Sequence, residues 1–99
     1  MAKSDWLKHS VAMDWTVYII LCDDDTLYTG VSTDVKRRFR EHCDSSAGAK
    51  YFNGRKPLEV VYREIGHDRS SACQREAMIK KLSRSEKLKL IKTNSKREE

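Results

Sequence analysis

Apolar and polar positions divide the chain into short, well-marked segments. Trp15 to Cys22 is rich in aromatic and β-branched residues and stops at Asp23-Asp24-Asp25, the grammar of a strand followed by a turn. Leu27 to Val31 resumes the strand pattern, so the two runs predict a hairpin. Ser32-Thr33-Asp34 then offers N-cap residues for a helix reaching about Cys43, with Val35, Phe39 and Cys43 spaced as its core stripe. Asp44 to Pro57 contains Gly48, Gly54 and the chain's one proline, and reads as a loop. Leu58 to Ile65 alternates and predicts a third strand, and Gly66 to Ser70 a turn and cap. A second helix should run to about Leu82, a break should fall at Ser83–Ser85, and a short last helix should span 86–91. The chain thus divides into an extension over 1–14, expected to be flexible, a domain over 15–91 and a charged tail over 92–99, expected to fray. The order β-β-α-β-α-α predicts a small α/β sandwich, a three-stranded antiparallel sheet flanked by helices.

Composition narrows the field. Ninety-nine residues, 38% hydrophobic and 35% charged, suffice for one modest core and are not those of a disordered chain. The apolar run Val17 to Cys22 is far too short to span a bilayer, and the first residues lack the apolar stretch of a secretory signal. No membrane association is expected. Cys22, Cys43 and Cys73 are odd in number and widely spaced, which predicts reduced, partly buried thiols in a cytoplasmic protein. No nucleotide-cradling glycine motif occurs among the four glycines. Twenty Lys and Arg against fifteen Asp and Glu leave a net charge of +5, which favours a polyanionic partner.

Strand alternation groups the candidate chemistry. With the turn centred near Asp24, Ile20 lies opposite Tyr28 and Tyr18 opposite Gly30, so both phenols share a face as diagonal neighbours. Gly30 is expected to leave open backbone there for a ligand to approach. Arg38 and His42, four residues apart on the following helix, stack on one side of it and can converge on the phenols. Glu76 falls inside an apolar arc formed by Ala72, Cys73, Ala77, Ile79 and Leu82, where a carboxylate needs an ion-pair partner or a cation. The three turn aspartates are better read as solvated turn formers than as a metal cluster.

In this order, these residues resemble the GIY-YIG nuclease superfamily, and the intervening stretches look like its small single-domain bacterial proteins of the YhbQ type. Thr16-Val17-Tyr18 resembles the first half of the naming motif and Tyr28-Thr29-Gly30 the second. Arg38, eight residues past the glycine, resembles the family's helix arginine, and Glu76 its metal-binding glutamate. Thr16 stands in place of the first glycine and Thr29 of the middle isoleucine, while Asn94, in the charged tail, is the one late asparagine. The resemblance implies phosphodiester hydrolysis with one divalent cation, Mg²⁺ or Mn²⁺, held by Glu76. It implies that Arg38 grips the phosphate and that Tyr18, with Tyr28 beside it, orients or deprotonates the attacking water. His42 is a rival proton acceptor, and the residue types leave both open.

DNA, or RNA, is the implied substrate, chosen by structure more than by sequence, as in repair or recombination. Arg37, Arg40, Lys50, Arg55, Lys80, Lys81 and Arg84 are the cations expected to contact phosphates. A chain without a separate recognition domain is expected to draw specificity from a protein partner. Two other readings stay open: a binding module of the same fold with little or no cleavage, and a structural protein docking through Trp6, Leu7 and the basic tail.

Overall fold

The computed structural model describes residues 13–44 and 54–98. The elements follow the expected order: β1 (Trp15–Cys22), β2 (Leu27–Ser32), α1 (Val35–Cys43), β3 (Pro57–His67), α2 (Arg69–Lys80) and α3 (Arg84–Glu98). The strands form one antiparallel sheet in the order β2-β1-β3. Of the extension over 1–14, Met13 and Asp14 fall within the described residues and both are exposed.

Local chemistry sets most boundaries. The β1–β2 turn closes through Asp25 N–H to the Cys22 carbonyl and Cys22 N–H to the Thr26 carbonyl, both 2.9 Å, with Asp25 at φ 71°. Ser32 Oγ accepts from the Asp34 N–H at 2.9 Å, and the Asp34 carboxylate caps α1 by accepting from the Arg37 N–H at 3.1 Å. Strand and helix are therefore joined with almost no slack. Asp68 and Ser71 form a reciprocal capping box that starts α2.

Two elements are longer than the pattern predicts. β3 extends at both ends because β1 pairs with it throughout, from Trp15↔His67 to Cys22↔Pro57. Gly66, at φ 83°, keeps the strand going through the expected turn by adopting backbone that other residues avoid. α3 begins at Arg84, not Glu86, because Ser83 and Glu86 make a second capping box: Ser83 N–H donates to Glu86 Oε1 at 2.8 Å and Glu86 N–H to Ser83 Oγ at 3.2 Å. It then runs to Glu98, so the stretch expected to fray is largely helix.

The sheet is covered on both faces. On one, Val17, Ile19, Tyr62, Ala72 and Ile79 are buried, with Leu90 and Ile91 of α3 packed against them. Burying a side chain such as Ile79 completely is worth about 1.5–3 kcal/mol. On the other face Tyr18, Ile20 and Cys22 are buried under Val35 and Phe39 of α1. Cys43 does not extend that stripe: it is exposed, and His42 turns inward instead, at 2% exposure. The inward residues are Val35, Phe39 and His42, because seven residues come closer to two full helical turns than eight. Cys73 and Ala77 are also exposed, so the apolar arc of α2 narrows to Ala72 and Ile79, with Leu82 part-buried beyond the helix. Of the three thiols, only Cys22 is buried.

Candidate active site

The hairpin register is the expected one, with Tyr18 opposite Gly30 and Ile20 opposite Tyr28. The phenols are diagonal neighbours, ring centroids 6.4 Å apart. His42 completes the cluster, 6.5 Å from the Tyr18 ring and 5.2 Å from the Tyr28 ring, which it meets edge-on. His42 Nε2 and the Tyr18 hydroxyl are 3.3 Å apart.

The backbone at Gly30 is not open. The Tyr18 phenol lies over it: a Cβ placed on Gly30 would meet the Tyr18 hydroxyl at 2.7 Å, Tyr18 Cζ at 2.8 Å and Tyr28 Cε2 at 3.1 Å. Gly30 therefore seats the Tyr18 ring, a correction to the open backbone expected there for a ligand to approach. The missing side chain provides room, but a neighbouring ring takes it.

Electrostatics distinguish the titratable groups. Burial, then the neighbouring Tyr28, raise the pKa of Tyr18 to about 12, although Arg38 pulls it down. The charge of Glu76, on α2, also raises it, as the smallest of these influences. His42 moves the other way. Burial and then the Arg38 charge hold it below 6.5, so the imidazole is neutral at pH 7. Arg38 itself is held by Glu41, Nη1 to Oε1 at 2.7 Å, and that bond is the main cause of its raised pKa.

Glu76 is one-quarter exposed and pairs with Lys80 at 3.2 Å. Its partner is thus a surface lysine one turn on. A carboxylate that is accessible, held by a flexible exposed lysine and felt at Tyr18 suits a hard cation that keeps most of its waters. Among the described residues no three His, Cys, Asp or Glu side chains gather as a ready-made cage. The turn aspartates are structural: Asp23 accepts from the Lys56 N–H at 3.0 Å, Asp24 binds Thr26 Oγ1 at 2.6 Å and Arg55 Nε at 2.7 Å, and Asp25 pairs with Arg84 at 3.6 Å.

Those pairs also change the picture of the predicted phosphate contacts. Arg37 pairs with Asp34 and Glu41, Arg55 with Asp24, Lys80 with Glu76 and Arg84 with Asp25. Arg40 and Lys81 are exposed, and Lys50 lies outside the described residues. Asn94 is remote from the phenols, lining a depression on the opposite sheet face with Tyr62, Glu64 and Arg75.

Sequence reasoning missed one ionisable cluster altogether. Glu64 accepts from the Tyr62 hydroxyl at 2.6 Å and from Arg75 Nε at 2.9 Å, and its other oxygen lies 2.9 Å from His67 Nε2. His67 Nδ1 is in turn 2.9 Å from Ser71 Oγ. Burial pushes the Glu64 pKa up, but these bonds outweigh it and leave the carboxyl below its ordinary range. The cluster ties the end of β3 to the first turns of α2. Its signal was Tyr62-x-Glu64-x-x-His67, residues two and three apart along one strand, but the arginine arrives from another element.

The comparisons agree with this fold. The GIY-YIG catalytic domain profile matches residues 14–89, and the chain belongs to that family. Within it, the chain is similar to the UPF0213 proteins. It is 49% identical over 82 residues to one from Desulfotalea psychrophila, covering 83% of this chain and 74% of the relative. It is 47% identical over 81 residues to one from Syntrophus aciditrophicus, covering 82% and 93%. Among solved structures, the solution NMR structure of a UPF0213 protein from Bacillus halodurans is 39% identical, with a TM-score of 0.51, covering 80% of this chain and 83% of that one. Membership of a nuclease family implies a nucleic acid as substrate. No helix among the described residues is long and apolar enough to cross a membrane.

Proposed function

We propose that this chain is a divalent-metal-dependent endonuclease that hydrolyses phosphodiester bonds in DNA, directed by structure more than by sequence, as repair or recombination requires. The observation that carries this reading is the packed cluster of Tyr18, Tyr28 and His42, with Arg38 beside it and the charge of Glu76 reaching it. Two free thiols at the surface, Cys43 and Cys73, suit a reducing cytoplasm.

Each residue has a distinct task. Arg38 binds a phosphate oxygen through its planar fork, exchanging part of its contact with Glu41. Tyr18 is a poor free base: with a pKa of about 12, only about one molecule in 10⁵ is ionised at pH 7. It orients the attacking water and passes a proton. In the tautomer with the proton on Nδ1, His42 Nε2 accepts the Tyr18 hydroxyl proton while the Tyr18 oxygen takes one from water. That double transfer is uphill in isolation, so it accompanies attack. Tyr28 walls the site and supports Tyr18. Glu76 would hold a Mg²⁺ or Mn²⁺ ion, which would supply neutralisation of phosphate charge and Lewis-acid stabilisation of the leaving oxygen.

The test is Mg²⁺-dependent cleavage of duplex, flap, nicked and single-stranded DNA by the native chain, Arg38→Ala and Glu76→Ala. Loss of cleavage in both variants, with binding kept by Glu76→Ala, supports the reading; equal activity in all three overturns it. The Lys80–Glu76 pair favours a second reading, a binding module in which the lysine occupies the cation's place. In that case no cleavage occurs with any divalent ion, and salt-dependent binding persists. A protein partner that supplies specificity is compatible with either.

A further inference from the structure

Helix α1 has two flanks on the sheet, and the candidate active site occupies one of them. On the other, Lys36 and Arg40, one turn apart, face β3 and line a cleft of about 380 Å³ with Arg63. Arg63 is the cross-strand partner of Tyr18, so it emerges on the same sheet face, one strand spacing (about 4.8 Å) from the phenol's own strand. The floor between them is apolar, formed by Phe39, Leu58 and Val60.

Lys36, Arg40 and Arg63 are exposed, and among the described residues none makes an ion pair. That sets them apart from Arg37, Arg55, Lys80 and Arg84, each tied to a carboxylate of the chain itself. Among the described residues Glu59 is the one acid lining the cleft, against three cations. A surplus of unneutralised charge over an apolar floor matches a sugar-phosphate backbone, whose anions meet the rim and whose sugars meet the floor.

Resting on the function proposed above, we infer that the α1–β3 cleft holds the substrate strand's backbone beside the scissile phosphate, through Lys36, Arg40 and Arg63. These contacts read no bases, so they supply affinity and direction of entry without sequence preference.

The experiment is binding of the native chain to a fluorescent nicked duplex, without divalent ions, across a series of NaCl concentrations. K36Q, R40Q and R63Q are compared with R69Q, which removes the same unit charge from the first turn of α2, outside the cleft. Each cleft variant is expected to flatten the log–log salt slope by about 0.9, and the triple variant to bind at least about tenfold more weakly at low salt. R69Q is expected to stay within about twofold of the native chain. Native binding with an unchanged salt slope in the triple variant overturns the cleft and leaves the nuclease reading standing. Absence of native binding to any nucleic acid overturns both.

Discussion

The Tyr18 phenol rests on Gly30, directly opposite it across the hairpin, in the space that any larger residue would fill. The glycine is thus a seat for the ring that His42 and Arg38 address. Gly30→Ala is expected to displace that ring, cost about 1–3 kcal/mol and break the 3.3 Å contact with His42. A double-mutant cycle with Tyr18→Ala checks the cause: without the ring, the alanine should cost much less. Equal costs in both backgrounds would show that Gly30 acts through its backbone alone.

The buried imidazole makes stability depend on pH near neutrality. His42 is held below 6.5 in the fold, whereas in the unfolded chain it protonates near 6.5. The unfolded state therefore binds the extra proton first. Stability is full above about pH 6.5 and falls as the pH drops below it. His42→Gln should remove this component. Urea midpoints at pH 8 and pH 5.5 measure it, and an unchanged difference in the variant would refute the assignment.

At the alkaline end, Tyr18 ionises near pH 12, against 10 for a free phenol. The unfolded chain loses its proton first, so this contribution is present below pH 10 and is lost between 10 and 12. A titration followed at 295 nm should show a late phenolate that Tyr18→Phe removes.

Thr29, 2% exposed, carries a buried hydroxyl that finds no hydrogen-bond partner among the described residues. Thr29→Val keeps the shape and removes the unsatisfied oxygen. It is expected to stabilise the protein by about 1 kcal/mol, read as a higher urea midpoint. A lower midpoint would mean that the hydroxyl serves a purpose the fold alone does not reveal.

Glu64 joins Tyr62, His67 and Arg75, so Glu64→Gln should destabilise by about 1–3 kcal/mol. Its lowered pKa gives a contribution present above about pH 4.5 and lost as the pH falls further. His42 also titrates on the way down from pH 6.5, so the Glu64 component is the part of the urea-midpoint change between pH 6.5 and pH 3.5 that Glu64→Gln removes and His42→Gln leaves in place.

The hairpin register, the Asp34 cap and the pairing of phenols were legible because each depends on residues close in sequence. Strand alternation alone puts Tyr18 and Tyr28 on one face. The inward turn of His42 in place of Cys43 was harder to see, since both fit an apolar stripe and the choice rests on how α1 lies across the sheet. The occupied space over Gly30 is a matter of side-chain direction, which residue spacing does not encode. The pairing of Glu76 with Lys80, not with an arginine, and the Glu64 cluster depend on which long side chains meet in space.

Among the described residues β3 has a neighbour on one side only, so the outer rim of this eleven-residue strand is an edge that another chain could recruit. Its pairing with β1 shifts register at three places, which bends the rim away from the flat profile that stacking requires. Exposed Glu59 and Arg63 place charges along the same stretch. The distortions that make the strand irregular thus guard the protein against edge-to-edge aggregation, and straightening them would trade solubility for symmetry.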